Sequence, residues 1–487
     1  MPYIFLALVI ILLVAVILAR ALRFRAPSVQ VEPGLPIQID VERAAQHLAA
    51  AIRIPTISFG ENSPVEQDAF HALHRKLEEM YPRLHRSLEK IPVNDYSLVY
   101  RWAGSQPDLD PILLLAHQDV VPADPTTWGD WGQPPFSGAI HDGYIWGRGT
   151  LDCKNQLIGT LEAAETLLEK GFHPQRTVLF AFGHDEEIGG QNGAEKITCW
   201  MKDQDIRVEA VLDEGGAVLK GGFPGIEGLA AVIGTVEKGH IDVRLHVTAT
   251  AGHASTPPRQ TAVGILSKAI TRIEANPMPA HLDQVLPMFR GLGENLPFTY
   301  RIIFANQWLF SGILRKILED NPQMNASIRT SIAATIIHGG IKENILPREV
   351  YANLNIRLLP GDSIDDVLNH LRSVIRDDRV KITLTGNCRN EASPVSPTDV
   401  PAFEILKASI GRTYGDIPTT PYLMLGGSDA RYYAAVSSHI YRFSPMVLTS
   451  EELDSVHGIN ERTRVDDFAN NVRFFIDLIL NWSAPFI

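Results

Sequence analysis

The chain has 487 residues, more than one ordinary hydrophobic core accommodates, so at least two domains are expected. Its 45% hydrophobic and 21% charged composition excludes a disordered chain. A formal net charge of -12 argues against nucleic acid as a partner, because a phosphate-binding face needs a basic excess.

The N-terminus opens on an uninterrupted apolar run, Tyr3 to Ala19. That is the short end of the length a membrane-spanning helix needs. No Lys or Arg precedes it, and Arg20, Arg23 and Arg25 follow it. These flanks favour a retained single-pass anchor over a cleaved signal; the positive-inside rule leans towards a cytoplasmic C-terminal side, and one short helix leaves the side of the membrane open. The small-x-small triplet at 19–21 keeps open the alternative of secretion after cleavage. Residues 1–26 are thus read as the anchor or signal segment, and 27–39 as an extended linker.

From residue 40 the pattern alternates between helical spacing and short apolar strands. "YSLVYRWAG", "PILLLAH", "TVLFAFG" and "VEAVLD" read as strands, and "NQLIGTLEAAETLLEKG" as a helix stopped by Gly171. That order predicts an α/β fold with a mostly parallel sheet covered by helices on both faces. Between 237 and 386 the order changes to β-α-β-β-α-β, the split βαβ arrangement of a small two-layer α+β domain. An insertion at 277–327 lies between its first helix and second strand. The alternating pattern resumes over 387–487, so one catalytic domain, 40–236 plus 387–487, is interrupted by a smaller one. Cys153, Cys199 and Cys388 show no metal-type spacing and are read as small buried side chains, with one disulfide left open.

Polar chemistry follows the strands of the first domain. "ILLLA" is followed by His117, Gln118 and Asp119, "TVLFAFG" by His184, Asp185, Glu186 and Glu187, and "VEAVL" by Asp213 and Glu214. The functional crevice of an open parallel sheet lies beyond the carboxyl ends of its strands. Asp152 stands just before the long helix, and His457 lies in the Gly-containing "VHGINER". Imidazole with carboxylate suits zinc, with cobalt or manganese as substitutes. His117, Asp152, Glu187, Asp213 and His457 are too many for one tetrahedral ion with an open position, but they fit two ions if one carboxylate bridges. Adjacent residues at a strand end point in different directions, so one of Glu186 and Glu187 binds metal while the other faces substrate as a general base and acid. Asp119 is placed to hold the second N–H of His117. Each residue alone has an ordinary structural reading; their joint occurrence after buried strands carries the inference.

With these residues in hand, the sequence resembles the dinuclear-zinc metallopeptidase family of aminoacylase, carboxypeptidase S and glutamate carboxypeptidase. The motifs are "HQDVVP" (117–122), "WGQPPFSGAIHDGYIWGRGTLDCKN" (131–155), "HDEEIGG" (184–190), "LDEGG" (212–216) and "VHGINER" (456–462). The stretches "NQWLF", "NASIRT", "GGIKENILP" and "YRFSP" are similar to its carboxypeptidase S-like branch, which includes N-fatty-acyl-amino-acid synthase/hydrolases. The resemblance implies a zinc-exopeptidase-like fold, with one zinc on His117 and Asp213, a second on Glu187 and His457, and Asp152 bridging. It implies Glu186 as general base, Asp119 behind the ligands and the interrupting domain as a lid, used in the family for homodimerisation. It implies His253 of "AGHAS" as oxyanion stabiliser. Asn344, Arg357 and the Gly426–Gly427 loop of "GGSDAR" would grip a substrate with a free amino-acid carboxylate.

The expected activity is hydrolysis of N-acyl amino acids, reversible towards synthesis, with a carboxypeptidase or dipeptidase as the alternative. A non-catalytic ectodomain would have lost ligands, and none is missing. The apolar insertion and the anchor favour a fatty-acyl substrate, with Trp308, Leu309 and Phe310 expected in an acyl pocket.

Overall fold

The computed structural model describes residues 2–26, 37–60, 63, 65–223 and 225–486, the side chains of 387 and 388 excepted. Most of the expected linker, and the side chain of Cys388, lie outside this set. Among the described residues the central sheet has ten strands. From one edge they run Glu89–Val93, Ser97–Trp102, Val178–Gly183, Ile112–His117, Ala210–Asp213, Ile440–Arg442, Leu229–Glu237, Val218–Lys220 and Val447–Leu448, with Thr419–Met424 also on Leu229–Glu237. Ile112–His117 sits near the middle, parallel to both neighbours. Every residue of Ile112–His117 and Val178–Gly183 is buried, as expected of strands covered on both faces.

Alternation along these strands separates two cores. Leu114, Phe180 and Leu212 join the core under helices Lys154–Glu169 and Val465–Trp482. Leu113, Leu115, Leu179 and Val211 join the opposite one, with Ile197 of helix Ala194–Asp203 and Ala430. Side-chain period two sets this division.

A second sheet is fully antiparallel, ordered Ser331–Gly339, Glu349–Leu358, Gly239–Thr248 and Val380–Asn390. Strand Glu349–Leu358 alternates buried and half-buried residues along most of its length, with one face on helices Ala262–Ala275 and Ile364–Ile375. The latter helix begins with a capping box, Ser363 to Asp366. The two sheets join where Leu229–Glu237 ends and Gly239–Thr248 begins, and the return chain is pinned there by Ser393 N donating to Glu237 O (3.1 Å).

The insertion forms helices Leu286–Leu292, Phe298–Ala305, Gln307–Glu319 and Pro322–Ile328. Only Met278 of it joins the small-domain core among the described residues. Phe289, Leu292, Phe304 and Leu314 instead pack with Ala230, Val232 and Tyr422 on the edge of the main sheet. Trp308 is 56% exposed and Leu309 44%, so the expected wall of an acyl pocket is an outer face of the insertion. Cys153 and Cys199 are both free. Cys153 is buried as expected, but Cys199 is exposed on the solvent side of its helix.

The N-terminal apolar run forms helix Pro2–Leu22, long and apolar enough to cross a membrane. Its last turns lie on the insertion: Asn306 Nδ2 donates to Ile17 O (3.1 Å) and Arg20 Nε to Ala305 O (2.9 Å).

Candidate metal centre

Neighbouring parallel strands end in register, His117 opposite Gly183, so the loops after them share one edge of the sheet. At that edge Asp152 is flanked by two imidazoles. Its Oδ1 stands 2.9 Å from His117 Nε2 and its Oδ2 3.0 Å from His457 Nε2. His457 Nε2 is also 3.2 Å from Glu187 Oε2, and His117 Nε2 is 3.2 Å from Glu214 Oε1. Two ligand groups result, His117 with Asp152, Cys153 and Glu214, and Asp152 with Glu187 and His457. They share only Asp152, the arrangement a bridging carboxylate requires.

Asp213 departs from the expected ligand set. As the last residue of its strand it keeps the side of Val211 and accepts from Ala430 N (2.8 Å) on that face. Glu214, one residue further, turns to the other side and has one more methylene of reach. Strand alternation, carried one residue past the end of "VEAVLD", is the signal that separates the two.

The three acids after "TVLFAFG" have three different surroundings. Asp185 accepts from Asn192 N and Gly193 N (2.7 Å each), closing the loop. Glu187 joins His457, and its Oε1 is buried with no hydrogen-bond partner. Glu186 carries no ion pair with either histidine among those of the described residues. Both glutamates lie in the short 3-10 turn Glu186–Ile188, whose N–H groups donate to Asp119, Glu186 to Oδ1 (3.2 Å) and Glu187 to Oδ2 (3.3 Å). Asp119 also lies 3.4 Å from His117 Nδ1 through Oδ1, while its backbone oxygen is 2.9 Å from the same nitrogen. Fully buried, it therefore orients one imidazole and the glutamate turn together. The turn is held from the far side by Arg431 Nη2 and Tyr432 Oη, each donating to Gly189 O (2.7 Å). Gly190 has φ +69°, and a Cβ there would meet Asp429 Oδ1 at 2.2 Å, so no larger residue fits.

Electrostatics point to a cation. Burial pushes Glu186 well above the usual carboxylate range, with Asp429 and Glu214 adding to it. Burial and Asp152 push Glu214 up to about 7. Hydrogen bonds to Asp152 and Glu187 raise His457 to about 10. Burial acts against the charge on Asp152, yet the two histidines hold its carboxyl below the usual range. So many buried carboxyl groups repel one another unless positive charge lies among them. The unpartnered oxygen of Glu187 and the neutral-imidazole and carboxylate donor set fit divalent zinc, cobalt or manganese.

A further residue was not legible as functional. Glu461 is fully buried; its Oε1 accepts from Gly149 N (2.9 Å) and Leu151 N (2.8 Å), and its Oε2 from Arg148 Nη1 (2.6 Å). It ties the Asp152 loop to the His457 loop. Its only sequence mark was its place inside "VHGINER".

The remaining expected residues lie elsewhere. His253 and Asn344 are brought together on the small domain, where Gly252–His253 pairs with Ile345–Leu346 and Ala254 N donates to Asn344 O (3.1 Å). Both are exposed. His253 Nδ1 accepts from Ser255 N (3.1 Å), which leaves Nε2 as the outward nitrogen. Arg357 lies on strand Glu349–Leu358, opposite His240, at the end nearest the domain junction. Gly426 and Gly427 precede Ser428, whose N–H donates to Glu237 Oε2 (3.0 Å) at that junction.

The sequence model of peptidase family M20/M25/M40 matches residues 113–481. Probable carboxypeptidase S-like 2 of Dictyostelium discoideum is 40% identical over 473 residues, 95% of this chain and 90% of that protein. N-fatty-acyl-amino acid synthase/hydrolase PM20D1 of Xenopus tropicalis is 40% identical over 445 residues, 90% of this chain and 86% of that one. Among solved structures, the M20 family metallo-carboxypeptidase Sso-CP2 from Sulfolobus solfataricus superposes with a TM-score of 0.65 at 16% identity, covering 90% of this chain and 99% of that one. At that identity the likeness speaks for the fold alone, and it bears out the expected zinc-exopeptidase-like α/β class.

Proposed function

The chain belongs to peptidase family M20/M25/M40 and is a metal-dependent hydrolase; within that class we propose that it cleaves the amide bond of N-acyl amino acids, fatty-acyl ones included, beside a free carboxylate. The observation that carries the reading is Asp152 shared between two histidine–carboxylate groups, with Glu186 alongside and bound to neither histidine. The PM20D1 relative supports the acyl amino acid as substrate.

In this reading His117 and Glu214 hold one divalent ion, Glu187 and His457 the other, and Asp152 both; Glu214 stands where Asp213 was expected. Zinc is the favoured metal, with cobalt or manganese as substitutes. A pair of ions so held supplies Lewis-acid polarisation of the scissile carbonyl and a water acidic enough to react near neutral pH. Glu186 takes the proton of the attacking water and hands it to the leaving nitrogen. Asp119 fixes His117 and the glutamate turn. His253 donates to the oxyanion as charge develops there. Arg357, Asn344 and the backbone of Gly426 and Gly427 receive the substrate carboxylate, Arg357 by its planar fork. Run backwards, the same groups join a free acid to an amino acid.

Helix Pro2–Leu22 acts as a membrane anchor, with secretion after cleavage the alternative. A homodimer forms through the small domain, where edge strand Ser331–Gly339 exposes Ile336 and Ile337. A second reading, carboxypeptidase, is favoured by the Dictyostelium relative.

The test is release of free phenylalanine from N-oleoyl-phenylalanine, N-acetyl-phenylalanine and a Phe-containing dipeptide by the zinc-loaded full chain, with Glu186→Gln as comparison. Preferred cleavage of the acyl substrates, reduced about 10²–10⁴-fold in Glu186→Gln at unchanged zinc content, is expected. Preference for the dipeptide selects the peptidase reading, and no turnover with zinc bound removes both.

A further inference from the structure

The insertion encloses a cavity of about 620 Å³ walled by Phe289, Tyr300, Ile303, Phe304, Leu314 and Ile317. A second of about 200 Å³ extends from Met288 to Gly215 and Leu425. Both are lined by Gly222, Phe223, Gln323 and Met324, so they adjoin along these four residues. The inner end reaches Gly215 and Leu425, chain neighbours of the candidate metal centre and of the glycine loop. Gly215 follows Glu214, which stands 3.2 Å from His117, and Leu425 precedes Gly426. Volumes of this order are those of small-molecule sites.

The outer end lies beside the N-terminal helix. Helices Phe298–Ala305 and Gln307–Glu319 wall the cavity, and the junction between them holds Ile17 and Arg20 through Asn306 and Ala305. Crossing a hydrocarbon core of about 30 Å takes about 20 helical residues, and Pro2–Leu22 has 21. If that helix spans, its docked last turns lie at the hydrocarbon boundary, and the Ala305–Gln307 junction lies there with them. The same two helices expose Phe298, Trp308, Leu309 and Ile313, and Trp is a residue type that favours that boundary. Ile317 is 44% exposed and also lines the cavity, so it stands at the mouth.

We infer that the two adjoining cavities form one corridor, the acyl-chain site. A linear hydrocarbon chain enters from the lipid phase at Ile317, passes Met324 and sets its amide carbonyl at the metal centre. The inference rests on the N-acyl amidohydrolase reading above. It relocates the acyl contacts from Trp308 and Leu309, which face outward, to Phe304, Leu314 and Met324.

The experiment uses the full zinc-loaded chain in phosphatidylcholine vesicles with N-acetyl-, N-octanoyl- and N-oleoyl-phenylalanine. Each methylene buried is worth about four-fold in binding. Met324→Trp, which fills space where the two cavities adjoin, is expected to lower the oleoyl-to-acetyl ratio of kcat/KM by at least about ten-fold. Ile317→Asp, at the mouth, is expected to lower the oleoyl-to-octanoyl ratio several-fold. Wild-type ratios in both variants overturn the corridor and leave the amidohydrolase reading standing. Wild-type failure on all three substrates overturns that reading and the corridor together. If Met324→Trp fails to fold, a diazirine-tagged oleoyl-phenylalanine crosslinked to the unaltered enzyme decides: label within 215–223, 284–324 or 422–425 supports the corridor, and label confined elsewhere overturns it.

Discussion

The metal centre and the small-domain site are built in opposite ways. At the centre His117 and Asp119 are buried, Asp152, Glu187 and Glu214 are half-buried and His457 is exposed, and the set is cross-braced: Asp119 holds His117 and the glutamate turn, and Glu461 joins the Asp152 and His457 loops. On the small domain, His253 and Asn344 are exposed and rest on a two-residue ladder. The chemistry that must be pre-organised sits on strand ends, while the groups proposed to meet the substrate sit on a separate sheet reached through Glu237–Gly239.

If that division holds, the two regions fail differently. The largest effect is expected at the centre: Glu214→Ala lowers metal affinity at least about ten-fold and removes most activity. Asp213→Asn keeps both metal equivalents, because its carboxylate serves Ala430 N instead. Metal stoichiometry after dialysis separates the two variants, and the reverse pattern would restore Asp213 as the ligand. On the small domain, His253→Ala is expected to lower kcat about 10²–10³-fold with metal content and thermal stability unchanged. A loss of bound metal would mean that the regions are not independent.

The junction probes the link between them. Glu237 and Arg442 form a buried pair (3.0 Å), and Glu237 Oε2 also receives Ser428 N. Glu237→Gln leaves a buried guanidinium uncompensated and is expected to cost about 3–5 kcal/mol, read from urea unfolding.

The smallest effect is a pH dependence. Lys238, almost wholly buried, donates to Ala326 O and Arg329 O (2.9 Å each), and burial brings its pKa down to about 7. The unfolded chain keeps that proton to about pH 10.5. Between the two values the unfolded state binds more protons, so Lys238 makes stability rise with pH by about 1 kcal/mol per unit. Urea midpoints at pH 7, 8 and 9 should show this rise in the wild type and a flatter one in Lys238→Met.

Much of this was legible in the sequence. The repeated "β then His or carboxylate" pattern located the centre, because parallel strands bring their carboxyl ends to one edge. The β-α-β-β-α-β order of the small domain was legible because its strands alternate cleanly and its helices carry one apolar face each. The choice between Asp213 and Glu214 was not, since it turns on where the strand ends and which face the next residue takes. Nor was the packing of the insertion: apolar content grouped Trp308, Leu309 and Phe310 as one pocket wall, whereas Trp308 and Leu309 are exposed and Phe310 is half-buried. Cys199 was misjudged for the same reason, as a small residue fits either face of a helix.

Hydrophobic period and residue chemistry, both local properties of the chain, determined the fold class and the place of the candidate metal centre, and the motifs after the strands carried the family resemblance. Tertiary structure alone decided which neighbouring carboxylate joins the histidines, what Glu461 braces, and that the insertion lies against the main sheet beside the N-terminal helix. Those outcomes depend on which surfaces meet, and contacts between residues far apart in sequence leave no periodic mark along the chain.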